Sequence, residues 1–145
     1  MRKQYSKSEI KELNDKFSFL NLDKKSNVVE DDNKIYVNNE IKLINIENSW
    51  LPHLKLVLKK IDILPKVTVD MGAIKFVVKG ADIMRPGITK LDEFSKDSLV
   101  IVIDETHNKP LSICKSLFSS QEINEMKTGK VLQNLHYVGD ESWNL

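Results

Sequence analysis

The 145-residue sequence contains one cysteine, five glycines, four prolines and no clear excess of either charge. Each scarcity removes a class of explanation. The lone thiol, Cys114, forbids an intramolecular disulfide and supplies no zinc cluster, which fits a reducing compartment. Its alternation with Leu111 and Ile113 reads as a small residue within a strand. No apolar run approaches membrane-spanning length, and the opening MRKQYSKSEIKEL lacks the apolar core of a secretory signal, so a cytoplasmic location with no membrane partner is expected. Lys and Arg number 22 against 21 Asp and Glu, for a formal net charge of +1. Divided before Lys66, the front part carries 12 basic and 10 acidic residues and the rear part 10 and 11. Neither is a polycation, so any RNA affinity must come from a local patch and from shape rather than from counterion release along the whole surface.

Catalytic signatures are missing too. There is no Gly-x-Ser-x-Gly elbow, phosphate-binding P-loop, dinucleotide fingerprint or His-Glu-x-x-His zinc motif. Cys114, His136 and Asp140 can be assembled on paper into nucleophile, base and orienter, but nothing in their spacing supports it. A lone histidine beside Tyr137 reads as a packed or hydrogen-bonding residue. Asp31-Asp32 and Asp92-Glu93 sit in polar turns, where solvated charge explains them better than a metal. No catalytic residue, metal or cofactor is expected.

What is present reads as two small units, residues 1–65 and 66–145. A hydrophobic content of 41% with 30% charged residues describes a soluble globular chain. In the front unit, Ser6-Lys7-Ser8-Glu9 has capping-box spacing, and Ile10, Leu13, Phe17 and Leu20 fall on one helical face. Strands are expected over Asn27–Glu30, Lys34–Val37 and Ile41–Ile46, with turns at Asp31-Asp32-Asn33 and Asn38-Asn39. Ser49 is placed to cap a second helix, with Trp50, Leu54, Leu58 and Ile61 facing inward and Lys55, Lys59 and Lys60 facing solvent. Ile63-Leu64-Pro65 is a short apolar junction, which predicts that the two units pack together.

The most informative segment is Lys66 to Ile88, KVTVDMGAIKFVVKGADIMRPGI. Lys66 to Val69 alternates as a half-buried strand does. Asp70 is placed to cap a short helix by accepting from backbone N–H groups near Ala73, and Gly80 can end that helix in a left-handed conformation. Ile74, Val77 and Val78 face a core, which leaves Lys75 and Lys79 one turn apart on another side. In Gly80 to Gly87 the glycines permit close approach of another backbone, while Pro86 stiffens the turn and holds Arg85 extended. Such a loop offers N–H groups and a guanidinium to phosphate. The alternative is that the glycines serve turn geometry alone and Arg85 pairs with Asp82. Beyond it, Leu99–Ile103, Pro110–Phe118 and Gly129–Val138 read as strands and Ser119–Lys127 as a capped helical turn, together a small barrel with Trp143 closing one end.

The loop KGADIMRPGI and the ending HYVGDESW resemble the PUA fold of RNA-binding proteins. With the opening RKQYSKSEIKEL and the junction WLPHLKLVLKKIDILPKVTVDMGA, the chain is similar to an archaeal relative of the malignant T-cell-amplified-sequence family. The resemblance implies an α+β fold, a small N-terminal α/β pre-PUA domain followed by a C-terminal PUA β-barrel with short helices. It implies a noncatalytic RNA-binding adaptor in translation (initiation, reinitiation or ribosome recycling). The expected partners are tRNA or small-subunit rRNA, the small ribosomal subunit and an initiation-factor-like protein. RNA contact is carried onto Lys79, Gly80, Ala81, Met84, Arg85, Pro86 and Gly87, with Lys75 and Lys130 as neighbours. Arg85 and Lys79 would hold phosphate and Met84 would touch a base. Two departures stand out: Lys96-Asp97 where the family has Gly-Asp, and Cys114 where it has glycine. Rival readings are an RNA-targeting subunit of a tRNA-modifying enzyme, such as an archaeosine transglycosylase-like system, and a protein-interaction module using an exposed apolar surface around Trp50 and Pro52.

Overall fold

The computed structural model describes all of residues 1–145 and contains two sheets. The front sheet is an antiparallel meander of β1 (Arg2–Gln4), β2 (Val28–Asp31), β3 (Lys34–Val37), β4 (Glu40–Ile46) and β5 (Ser49–Pro52). Its three hairpins turn on Asp32-Asn33, Asn38-Asn39 and Glu47-Asn48, and all six residues have positive φ. This is the two-residue turn geometry that matches strand twist, and Asn and Asp tolerate it at low cost. Helix α1 (Lys7–Lys16) begins with the expected reciprocal cap: Glu9 N–H donates to Ser6 Oγ at 3.2 Å, and Ser6 N–H to the Glu9 carboxylate at 3.0 Å. Ile10 and Leu13 carry it onto Val28, Ile35, Val37 and Leu43.

Ser49 does not cap a helix. Glu47-Asn48 turns the chain back, so Ser49–Pro52 pairs with β4 and Trp50 lies opposite Asn45. β5 is a sheet edge, where a proline at the strand end removes no interior hydrogen bond. Helix α2 (Leu54–Lys59) starts after it and is capped by His53, whose Nδ1 accepts from Lys55 N–H at 3.0 Å. Leu54, Leu56 and Val57 are buried, whereas Leu58, expected inside, is 44% exposed. Pro52 is buried and Trp50 half-buried against the front core, so the exposed apolar surface expected there is not formed.

The rear sheet comprises β6 (Lys66–Val69), β7 (Ile83–Met84), β8 (Ile88–Leu91), β9 (Leu99–Asp104), β10 (Pro110–Ser116) and β11 (Lys130–Tyr137), in the order β7-β11-β10-β9-β6-β8. Helix α3 (Met71–Val77) follows β6 and α4 (Ser120–Glu125) follows β10. The two edge strands, β7 and β8, are consecutive in the chain and joined by the 3-10 turn Arg85–Gly87. That turn brings the edges of the curled sheet together. Val67, Val69, Val100, Val102, Ile123, Val131 and Leu132 fill the interior. Both departures from the family pattern fall at irregular backbone. Asp97 takes φ 65° just before β9, and Cys114 adjoins a β-bulge against β11.

A third cluster joins the two sheets: Ile44 and Leu51 of the front sheet and Leu54 and Val57 of α2 pack on Ile101, Ile103 and Ile113 of β9 and β10. Trp143 packs against this shared core, its plane tilted 5° from that of the His53 ring.

Candidate nucleic-acid interface

The site is built on α3 and the loop after it. Asp70 caps α3, its Oδ1 accepting from Ala73 N–H at 2.9 Å. The other end is closed by a Schellman motif: Ala81 N–H returns to the Phe76 carbonyl at 3.0 Å, Gly80 N–H to that of Val77 at 3.0 Å, and Gly80 takes φ 93°. A Cβ at Gly80 would lie 2.9 Å from Tyr137 Cε1. The close approach expected of this glycine is therefore real, but it is to an aromatic ring of β11 and not to another backbone.

Asn134, also on β11, holds the loop. Its Nδ2 donates to the carbonyls of Val77 (3.1 Å) and Ala81 (3.0 Å), and its N–H donates to Asp82 Oδ1 at 2.9 Å. Asp82 Oδ2 faces Lys130 Nζ at 3.4 Å, and the Asp82–Arg85 pair of the alternative reading is not formed.

Between α3 and β7 this leaves a cavity of about 430 Å³. Ala73, Val77 and Ile83 line its deeper part, while Phe76 and Met84 stand 56% and 51% exposed at its edge. Asp82 and Lys130 are the only charged residues lining it. Lys75 Nζ lies 5.2 Å from the centre of the Phe76 ring, within cation–π range. The arrangement offers an apolar slot with an aromatic face, flanked by ammonium groups.

Of the residues expected from the sequence, Ala81, Met84, Gly87 and Lys130 line this cavity. Lys75 flanks it through Phe76, Lys79 and Pro86 are exposed nearby on the same loop, and Gly80 shapes the rim. Arg85 is different. Its Nε donates to the carbonyls of Ile123 (2.7 Å) and Met126 (3.0 Å), and its Nη1 to that of Ile88 (3.3 Å). The guanidinium thus caps the end of α4 and staples β8 to it, so Nε and Nη1 serve the barrel seam. Phe76 was absent from the expected set. Its signal was an aromatic residue off the Ile74, Val77 and Val78 core stripe, where a soluble helix ordinarily places a polar side chain.

The paper triad is not assembled. His136 Nε2 accepts from Leu54 N–H (3.1 Å) and its Nδ1 donates to Asp140 Oδ2 (2.8 Å), so both nitrogens are committed in a fully buried ring. Burial pushes the Cys114 thiol up to about 12, far from a nucleophilic thiolate.

The PUA domain family matches residues 65–138. Along nearly its whole length the sequence is 39% identical to a protein of Methanocaldococcus jannaschii (99% of this chain, 97% of that one). It is 35% identical to translation machinery-associated protein 20 of Saccharomyces cerevisiae (98% of this chain, 82% of the other). The chain belongs to the PUA-domain family of translation machinery-associated protein 20. Malignant T-cell-amplified sequence 1 of Rattus norvegicus is 36% identical over 68% of this chain and 57% of its own length. Among solved structures, a protein of Pyrococcus horikoshii superposes with a TM-score of 0.83 at 27% identity, covering 99% of this chain and 98% of that one. An H/ACA ribonucleoprotein bound to a substrate RNA contains a chain that matches with a TM-score of 0.54 at 26% identity, over 66% of this chain and 29% of its own. These PUA likenesses accord with a mixed α/β fold and an RNA-binding role linked to translation.

Proposed function

We propose that this protein is a noncatalytic adaptor that binds unpaired nucleotides of a translation RNA, tRNA or small-subunit rRNA, in the cavity between α3 and β7, and acts in the cytoplasm at the small ribosomal subunit. The observation that supports it is the pairing of an exposed aromatic and an apolar slot with Lys75, Lys79 and Lys130, in a PUA chain similar over its length to a translation machinery-associated protein. Unpaired bases are splayed out and stacked on aromatic side chains, whereas A-form grooves are read mainly by shape. A base entering here would stack on Phe76 and touch Met84. The lysines would follow the backbone on either side.

Net charge near zero fits this reading, because stacking supplies what counterion release does not. An initiation-factor-like protein is the partner expected from the family resemblance. The test is crosslinking of the tagged protein to RNA in its native cells, with Phe76→Ala as control. Enrichment of tRNA ends or small-subunit rRNA that the variant loses supports the proposal. Equal recovery with the variant contradicts the site.

A further inference from the structure

We propose that Asp82 makes the cavity selective for bases carrying an exocyclic amine, so that cytosine is accepted and uracil refused. This rests on the RNA-binding reading above. A carboxylate in an RNA site calls for explanation, since it opposes phosphate. Half of it is explained by the fold: Oδ1 accepts from Asn134 N–H at 2.9 Å. An asparagine would serve that bond equally well. The other oxygen, Oδ2, has only Lys130 Nζ at 3.4 Å, longer than a well-formed charge-assisted hydrogen bond, and the two side chains are 34% and 53% exposed.

Asp82 and Lys130 are the cavity's only charged lining residues. One can only accept hydrogen bonds and the other can only donate. A pyrimidine stacked on Phe76 meets this pair with its edge. Cytosine presents its N4 amine to Oδ2 and its N3 and O2 acceptors to the ammonium, the pairing by which acidic side chains read cytosine elsewhere. Uracil puts O4 where the amine was. Its lone pairs then face the carboxylate, which loses water and gains no donor, and sites built to hydrogen-bond a group reject the analogue lacking it. Adenine and guanine also carry amines, but they differ in ring size. The pyrimidine pair isolates the amine.

The test is titration of the full chain with fluorescently labelled oligocytidylate and oligouridylate of equal length at one salt concentration, for the wild type, Asp82→Asn, Lys130→Met and Phe76→Ala. The wild type is expected to prefer oligocytidylate by about tenfold. Asp82→Asn keeps an acceptor for Asn134 N–H and offers its own amide to O4, so the preference should vanish or reverse. Lys130→Met leaves the loop bonds intact and should weaken both ligands and lower the preference without abolishing it, since uracil N3–H offers the ammonium no acceptor while Asp82 still reads the amine. Equal wild-type affinities, an unchanged preference in Asp82→Asn, or a preference lost only in Lys130→Met would each overturn the assignment. If both oligomers bind equally and Phe76→Ala weakens both, RNA binding stands and Asp82 is not the reader. If neither binds, both readings fail.

Discussion

The backbone N–H of Leu54, at the start of α2, donates across 3.1 Å to Nε2 of His136 on the closing strand of the barrel, 82 positions away in the chain. An amide can only donate, so Nε2 carries no proton and Nδ1–H donates to Asp140. His53 is locked in the opposite tautomer. Its Nδ1 accepts from Lys55 N–H, leaving Nε2–H to donate to the Ser142 carbonyl at 2.8 Å. The two rings are 4.8 Å apart, and a proton taken up at Nδ1 of His53 would cost the Lys55 N–H bond that caps α2.

This junction should be acid-labile. Burial, more than the neighbouring His136, holds the His53 imidazole down at about 4, against 6.5 for the free group. The folded state therefore binds fewer protons than the unfolded one. Its stability is complete above about pH 6.5 and declines as pH falls toward 4, on the order of 2 kcal/mol over the upper part of that window. Thermal melts at stepped pH should show the decline, and His53→Gln should flatten it. A melting temperature constant between pH 7 and 5 would contradict the assignment.

Gly80 and Gly139 have nearly the same φ, 93° and 94°, but only Gly80 faces a ring; nothing lies within 4 Å of a Cβ at Gly139. Gly139→Ala should cost only the left-handed backbone term, about 1 kcal/mol. Gly80→Ala must also displace Tyr137 and should cost about 1–3 kcal/mol more. Denaturant melts of the two variants separate conformation from contact. Equal losses would remove Tyr137 from the argument.

Arg85→Ala leaves the carbonyls of Ile123, Met126 and Ile88 without their guanidinium donor. A loss of about 2–3 kcal/mol is expected, with Arg85→Lys recovering little because an ammonium cannot reproduce the fork. RNA affinity measured where the variant is still folded should change less than about twofold, because Nε and Nη1 are already spent on the seam carbonyls. A stable Arg85→Ala protein with much weaker RNA binding would restore the phosphate role.

The features legible in the sequence are those decided locally. The Ser6/Glu9 box, the Asp70 cap, the Gly80 terminus and the Asn38-Asn39 turn are each set by residues within a few positions of one another, and each forms as read. Glu47-Asn48 was missed because glutamate carries little turn signal. That one omission turned β5 into a helix and moved the α2 cap from His53 to Ser49. The seam bonds of Arg85 were not legible, for the opposite reason. Its partners, Ile123 and Met126, lie about 40 positions away, and no local pattern announces them. The cavity falls between these cases, since the loop was read as a ligand site but its aromatic face, Phe76, is signalled only by its place off the core stripe until the fold leaves it uncovered.

The most direct test of the central claim is the affinity of wild type and Phe76→Ala for a single-stranded RNA ligand, measured beside their melting curves. Phe76 is 56% exposed, so its truncation should leave stability within about 0.5 kcal/mol. Loss of a stacked base should weaken binding by about 1–3 kcal/mol, five-fold or more. A folded Phe76→Ala protein that binds RNA as tightly as the wild type would contradict the account.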